Sequence, residues 1–181
     1  MAKVITMTRT FLGKHPRKGQ STHFVEQFYN NIGVDYGTRD FFAKLKELNK
    51  KNLESGTLTE EELFEFWSTL DVNQKGEKKH TTRANNNFKV GDKVSHRVWS
   101  AKPYHTPQIV LWDDIEVAKT LEFRAFGGFS FYLEKEEGVY FDSSSIIKLA
   151  NNDGLSLQDF EDWFSGEFSG QVIIWDKNVT Y

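Results

Sequence analysis

The 181-residue chain has a formal net charge of −3, 38% hydrophobic and 15% aromatic residues, a composition that supports one packed domain and argues against wholesale disorder. It has no cysteine and no stretch of roughly 18 apolar residues, so a disulfide framework, a thiolate zinc site, a cysteine nucleophile and a membrane span are not expected, and we predict a soluble cytoplasmic protein. Residues 1–20 carry a net charge of +5 and residues 75–105 a net charge of +6, which leaves −14 for the rest of the chain. This segregation indicates either one basic face that binds phosphates or two basic stretches that are separately solvated.

The first half of the chain predicts one strand followed by helices. Residues 4–11 alternate apolar and polar side chains, as in a strand. A helix capped by Ser21 or Thr22 follows, with Phe24, Phe28 and Ile32 spaced four apart. Two more helical patterns cover 41–48 and 63–70, and the second follows a Thr59–Glu62 capping box. Residues 33–73 are therefore predicted to form a helical hairpin.

The second half predicts mainly strands. A turn at 88–92 precedes an alternating strand at 93–99, and a proline-bounded loop holds Tyr104. Further strands are predicted at 108–112, 115–125, 129–133, 138–141 and 170–175, with a helix capped by Ser156 before the last. The prediction is a single α+β domain, residues 1–181, with a mixed or antiparallel barrel-like sheet.

The segment Lys78–Ala84, KKHTTRA, is chemically the most unusual part of the sequence. If it is extended, Lys79, Thr81 and Arg83 share one face; if it twists at a barrel mouth, Lys78, Thr81 and Arg83 converge instead. The sequence leaves both geometries open, together with a plain basic surface loop. A guanidinium can grip a phosphate or carbonyl, and a desolvated lysine can act as a base.

The order of these features resembles the ASCH family of the PUA-like superfold. The matching elements are a first strand with Thr-Arg near its end, the helix containing FVEQF, the Lys78-x-x-Thr81-x-Arg83 element, the FKVGD turn and the DGLSL helix start. The resemblance implies a PUA-like β-barrel with a cleft for RNA or a nucleobase. The family joins its helix to the Lys-x-x-Thr-x-Arg element directly, so the helical insertion at about 33–73 departs from its pattern.

Some members of this family are amidohydrolases that deacetylate the exocyclic amine of acetylated cytidine. If the catalytic roles in those members are transferred to the matching positions, the resemblance implies that Lys78, Thr81 and Asp153 are catalytic and that Arg83 assists. Position 153 is Asp where the family has Glu. In such a mechanism the threonine attacks the acyl carbon, the lysine takes its proton and the arginine steadies the oxyanion. It needs no cofactor, and the spacing of the five histidines predicts no metal site.

A binding-only function would use the same cleft. Trp99, Tyr104 and Trp112 could stack a base, although tryptophans on strands are more often core residues. Lys79 and Arg83 of the basic element are also predicted to bind the ligand. The cationic or imidazole groups that could line a phosphate path are Lys14, Arg17, Lys18, Arg97, Lys102 and His105. We favour binding of RNA, a nucleoside or a nucleotide over catalysis, because the acidic position is altered and a segment is inserted. A third possibility is a protein-interaction module whose helices 41–48 and 63–70 dock a partner.

Overall fold

The computed structural model describes residues 3–84, 87–127, 130–133 and 143–181. Within these residues, seven strands form two sheets and six helices pack around them. The strands are β1 Lys3–Met7, β2 His80–Arg83, β3 Lys93–Trp99, β4 Gln108–Glu116, β5 Lys119–Phe126, β6 Phe131–Leu133 and β7 Glu167–Ile174. The helices are α1 Phe24–Asn31, α2 Arg39–Leu48, α3 Lys50–Glu54, α4 Glu60–Ser68, α5 Ser143–Asn152 and α6 Leu157–Trp163.

The first sheet has the order β1-β3-β4 and the second β2-β7-β5-β6. β1 runs parallel to β3, with Ile5 opposite His96, and every other pairing is antiparallel among the described strands. The chain passes between the sheets where β4 ends, since the Ala118 N–H donates to the Ile174 carbonyl at the end of β7. The predicted α+β class is confirmed, but no closed barrel is found in the described residues.

Two apolar clusters fill the space between the layers. The larger combines side chains from the helices with the inner faces of both sheets, and Phe28, Leu45, Leu63, Phe123 and Phe160 are among its fully buried members. The smaller contains Ile5, Phe88, Val94, Val117 and Ile173. Burial of these side chains supplies the main drive for folding.

The predicted insertion is helical, and its capping box is confirmed. The Glu62 N–H donates to Thr59 Oγ1 at 3.1 Å, and the Thr59 N–H donates to Glu62 Oε2 at 2.8 Å. Buried Asn49 fixes the insertion to β4, because its side chain accepts from the Val110 N–H at 2.8 Å and donates to the Val110 carbonyl at 2.9 Å. The apolar positions of α2 and α4 that suggested a docking surface are largely used in this core: Phe41, Leu45, Leu63 and Phe66 are buried.

Several predicted boundaries are wrong. β1 ends at Met7 rather than Phe11, because the chain then turns back and the Phe11 N–H donates to the Gln20 carbonyl. Neither Ser21 nor Thr22 is the N-cap of α1; His23 occupies that position with a left-handed φ of 56°, and it makes no side-chain cap. The strand predicted over 115–125 is split, since β4 continues to Glu116 before the chain changes sheets.

The C-terminal third contains a helix that the sequence did not predict. α5 spans Ser143–Asn152 and buries Leu149 and Ala150, although its three leading serines favour turns over helix interiors. The Ser156 cap of α6 is confirmed, because its hydroxyl accepts from the Asp159 N–H at 3.1 Å. The strand predicted at 138–141 and position 129 lie outside the described residues. No helix in the described ranges is long and apolar enough to cross a bilayer.

Candidate functional site

Lys78 and Asp153 are brought together by three elements. The Lys78 N–H donates to the Gln27 carbonyl of α1 at 3.0 Å, and the Lys79 N–H donates to the Asn152 carbonyl at the end of α5 at 2.7 Å. After α5 the chain turns through Gly154, which has a positive φ of 77° and packs against the Gln27 side chain and Lys78. The start of β2 is therefore held against α1 and against the turn between α5 and α6.

The two side chains form a buried ion pair. Lys78 is 1% exposed and Asp153 5%, and Lys78 Nζ contacts Asp153 Oδ1 and donates to the Asp153 carbonyl oxygen at 2.6 Å. The same ammonium lies 3.9 Å from the centroid of the Phe24 ring, a cation–π contact. Desolvation lowers the pKa of Lys78 from its usual value, against the opposing charge of Asp153.

The other two residues of the predicted element lie in β2. Thr81 is buried opposite Ile173 of β7, and none of the described hydrogen bonds joins it to Lys78 or Asp153. The Arg83 guanidinium donates to the Thr6 carbonyl of β1 at 2.7 Å and to the Thr82 carbonyl at 3.1 Å, so it bridges the edges of the two sheets. Burial lowers the pKa of Arg83 while the charge of Asp153 raises it, which places Arg83 in the electrostatic neighbourhood of the ion pair.

His96 also belongs to this neighbourhood, although the sequence pattern did not single it out as a site residue. It is fully buried, stacks on Phe28 at 4.5 Å between ring centroids and meets the edge of Trp175 at 4.7 Å. Neither of its ring nitrogens has a hydrogen-bond partner in the described part of the chain. Burial, together with the charges of Arg83 and Lys78, lowers its pKa to about 3 and keeps it neutral. The available sequence signal was a histidine between Val94 and Val98 on the apolar face of β3.

We refer to Lys78, Arg83 and Asp153 as the charged cluster. A cavity of about 750 Å³ lies next to it. We call it the aromatic cavity. Its walls include residues 6–10 of β1 and the following turn, the N-terminus of α1, and residues 98–101, 103 and 104 at and after the end of β3. The rings of Trp99 and Tyr104 contact each other there, with centroids 5.3 Å apart. Phe24 and Thr6, which contact Lys78 and Arg83, also line it. The ion pair thus lies one side chain behind the cavity wall, and neither Lys78 nor Asp153 lines the cavity.

The remaining predicted ligand-binding residues lie elsewhere. Arg17 pairs with Asp159 at 2.7 Å and covers the Phe11 ring. Lys79 pairs with Glu77 at 3.0 Å and lines a separate, more open cavity of about 710 Å³. Arg97 donates to Ser95 Oγ at 3.0 Å and does not line the aromatic cavity, and Trp112 packs against the core. Of the predicted stacking residues, the structure therefore brings only Trp99 and Tyr104 together.

Comparison with known proteins adds no further constraint, because no protein-family model, curated protein or solved structure matches this chain. The function is therefore inferred from the geometry of the ion pair and the aromatic cavity.

The ion pair makes a prediction for stability. Lys78→Met leaves the Asp153 carboxylate buried without its counter-charge, so we expect the free energy of unfolding to fall by about 3–5 kcal/mol. Replacing both partners, Lys78→Met with Asp153→Leu, removes the unpaired charge and should recover most of that loss. Urea unfolding of the wild type, both single variants and the double variant measures the coupling. Additive losses in the double variant would contradict a direct buried pair.

Proposed function

We propose that this protein binds a nucleobase, either within RNA or as a modified nucleoside, in the aromatic cavity. The observation that supports this most is the contact of Trp99 with Tyr104 in the wall of a cavity of about 750 Å³, within the size range of small-molecule sites. Tyr104 is 87% exposed, so a face of its ring is open to a ligand. Aromatic faces stack bases with about 1–3 kcal/mol per base.

The polar groups of the cavity favour a base over a phosphate track. Arg9 is held by Thr69 Oγ1 at 2.7 Å and lies over the Phe66 ring, while Glu26 and Asp71 contribute two carboxylates. The Gln108 side-chain amide donates to Thr6 Oγ1 at 3.0 Å, and the remaining positions of these two groups add donors and acceptors. A wall with mixed charge and several hydrogen-bonding groups suits the edge of a heterocycle, whereas a phosphate backbone requires an excess of cations.

Removal of the stacking rings tests this proposal. Trp99→Ala and Tyr104→Ala should each raise the dissociation constant for a bound nucleoside by about tenfold, because each loses a stacking surface worth about 1–3 kcal/mol. Titration calorimetry with cytidine, adenosine and a short single-stranded RNA supplies the dissociation constants. Phe64→Ala is the matched control, since Phe64 is a 51% exposed aromatic on α4 that does not line the cavity. Equal affinities in the wild type and in both cavity variants would contradict the proposal.

A second candidate function is hydrolysis of an acylated cytidine, which the chemistry of the ion pair favours. A lysine with a lowered pKa has a larger neutral fraction at a given pH, so it accepts a proton more readily, and Asp153 orients it. In this mechanism Thr81 Oγ attacks the acyl carbon and its proton passes to Lys78. The bond to the cytosine amine breaks as Lys78 returns that proton to the amine. Water then hydrolyses the acyl-threonine and releases a carboxylic acid.

Two observations rank hydrolysis below binding. The Phe24 ring lies between the aromatic cavity and Lys78 Nζ, so a substrate in the cavity reaches the ammonium only if that ring moves. Asp153 is also one methylene shorter than the glutamate that the ASCH resemblance implies, and a misplacement of about 1 Å costs on the order of a hundredfold in rate.

Paired threonine variants test the hydrolytic function without disturbing the ion pair. Thr81→Val keeps the shape of the side chain and removes the nucleophile, so it should abolish release of acetate from acetylated cytidine. Thr82→Val is the control, because Thr82 is buried in the same strand and its hydroxyl has no partner in the described residues. The wild-type rate should rise with pH as Lys78 loses its proton. Acetate release that survives in Thr81→Val would eliminate this mechanism.

A further inference from the structure

Glu26 is a buried carboxylate in the wall of the aromatic cavity. It lies in the first turn of α1, is 8% exposed, and lines the cavity together with Phe24 and Val25. Among the described residues, its carboxylate accepts one hydrogen bond, from the Asp71 N–H, at a long distance of 3.4 Å. An ionised carboxylate has about four acceptor positions, and a buried charge is stable only when donors fill several of them.

His23 lies beside this carboxylate and also has unused hydrogen-bonding capacity. Its Nδ1 is buried without a partner in the described part of the chain. The distance from His23 Nδ1 to Glu26 Oε1 is 3.8 Å, which is too long for a hydrogen bond between them. The two groups are therefore neighbours that share no hydrogen bond, and each keeps hydrogen-bonding positions that the described residues do not fill.

Backbone strain is concentrated at the same cavity. His23 has a φ of 56° and Tyr104 a φ of 64°, in the left-handed region that residues other than glycine seldom adopt, although asparagine, aspartate and histidine do so more often than the rest. These are two of the three non-glycine residues with positive φ in the described ranges, and both line the aromatic cavity. Such strain clusters at ligand-binding sites, where it fixes side chains in position for the ligand.

We propose that Glu26 and His23 are the specificity residues of this cavity and select a base that carries an exocyclic amino group next to a ring nitrogen. This inference rests on the proposed function. The amino group donates to the Glu26 carboxylate. The ring nitrogen accepts from the His23 Nδ1–H after the half-buried imidazole rotates and turns that buried nitrogen toward the cavity. Cytosine and adenine share this edge, in which a donor lies beside an acceptor.

The same arrangement rejects keto bases. Uracil and hypoxanthine present a carbonyl oxygen where the amino group would lie, so two acceptors face each other and the Glu26 carboxylate stays unpaired. Asp71 is a poorer candidate for this role, because it is exposed and its Oδ1 already accepts from the Asn73 N–H at 3.0 Å. Selectivity therefore depends on Glu26.

The test compares amino with keto nucleosides in matched pairs. Dissociation constants for cytidine against uridine, and for adenosine against inosine, should favour the amino member by about tenfold in the wild type, since a paired contact discriminates by about 1–3 kcal/mol. Glu26→Gln replaces one acceptor oxygen with a donor and should reduce that preference to about twofold or less. His23→Gly keeps the left-handed backbone without strain, removes the ring, and should weaken binding of the amino nucleosides more than of the keto nucleosides. Glu61→Gln, an exposed carboxylate on α4 outside the cavity, is the control and should keep the full preference.

The possible results separate this inference from the function on which it rests. Equal affinity of the wild type for cytidine and uridine, with both weakened by Trp99→Ala, would overturn the selectivity and leave the stacking site standing. Failure of the wild type to bind any of the four nucleosides would overturn both. Because the wild-type comparison needs no substitution, it decides the selectivity even if circular dichroism reveals a folding defect in a Glu26 variant.

Discussion

The buried ion pair between Lys78 and Asp153 is the constraint on which the site depends. Two charges at 1% and 5% exposure have lost their hydration, and their mutual contact, a backbone hydrogen bond and the Phe24 ring compensate that loss. Because those partners lie in the segment that leads into β2, on α1 and in the turn after α5, each of these three parts of the chain must be in place before the charges can be buried. The pair thus specifies how the helical layer sits on the second sheet.

The aromatic cavity follows from this arrangement. The Phe24 ring contacts Lys78 Nζ and also lines the cavity. In the same way, the Thr6 carbonyl accepts a hydrogen bond from Arg83, and Thr6 also lines the cavity. The charged cluster therefore acts as a rigid support for the wall rather than as the surface that a ligand first meets. Binding residues held by a packed support are better pre-organised than residues on a free loop, which reduces the entropy lost on binding.

The parts of the fold that depend on local patterns were predictable from the sequence. Strand β3, the Thr59–Glu62 capping box and the Ser156 cap all occur as predicted, since each depends on residues within a few positions of one another. Helix α5 was missed because its serine-rich first turn conceals its apolar stripe. The left-handed backbone at His23, which moved the start of α1, has no signature in the sequence.

The site was less predictable than the fold, because its contacts span long sequence separations. Lys78 and Asp153 are 75 residues apart, and only the resemblance to the ASCH family placed them in one site. The basic residues Arg17, Lys79 and Arg97 were selected for their charge, yet each has a partner within the fold that charge counting cannot reveal. Glu26 lies between apolar helix positions, and nothing in its neighbours distinguishes it from a solvated glutamate.

Direct observation of the Lys78 ammonium tests the central claim most sharply. In protein labelled with ¹⁵N at the lysine side chains, the Lys78 Nζ resonance, assigned with Lys78→Arg, can be followed as pH is raised. A buried ion pair predicts slow exchange of its protons with water and a pKa below that of the exposed lysines, because desolvation outweighs the attraction of Asp153. Rapid exchange and an ordinary lysine pKa at this position would show that the side chain is in solvent, and would contradict both the pair and the site built on it.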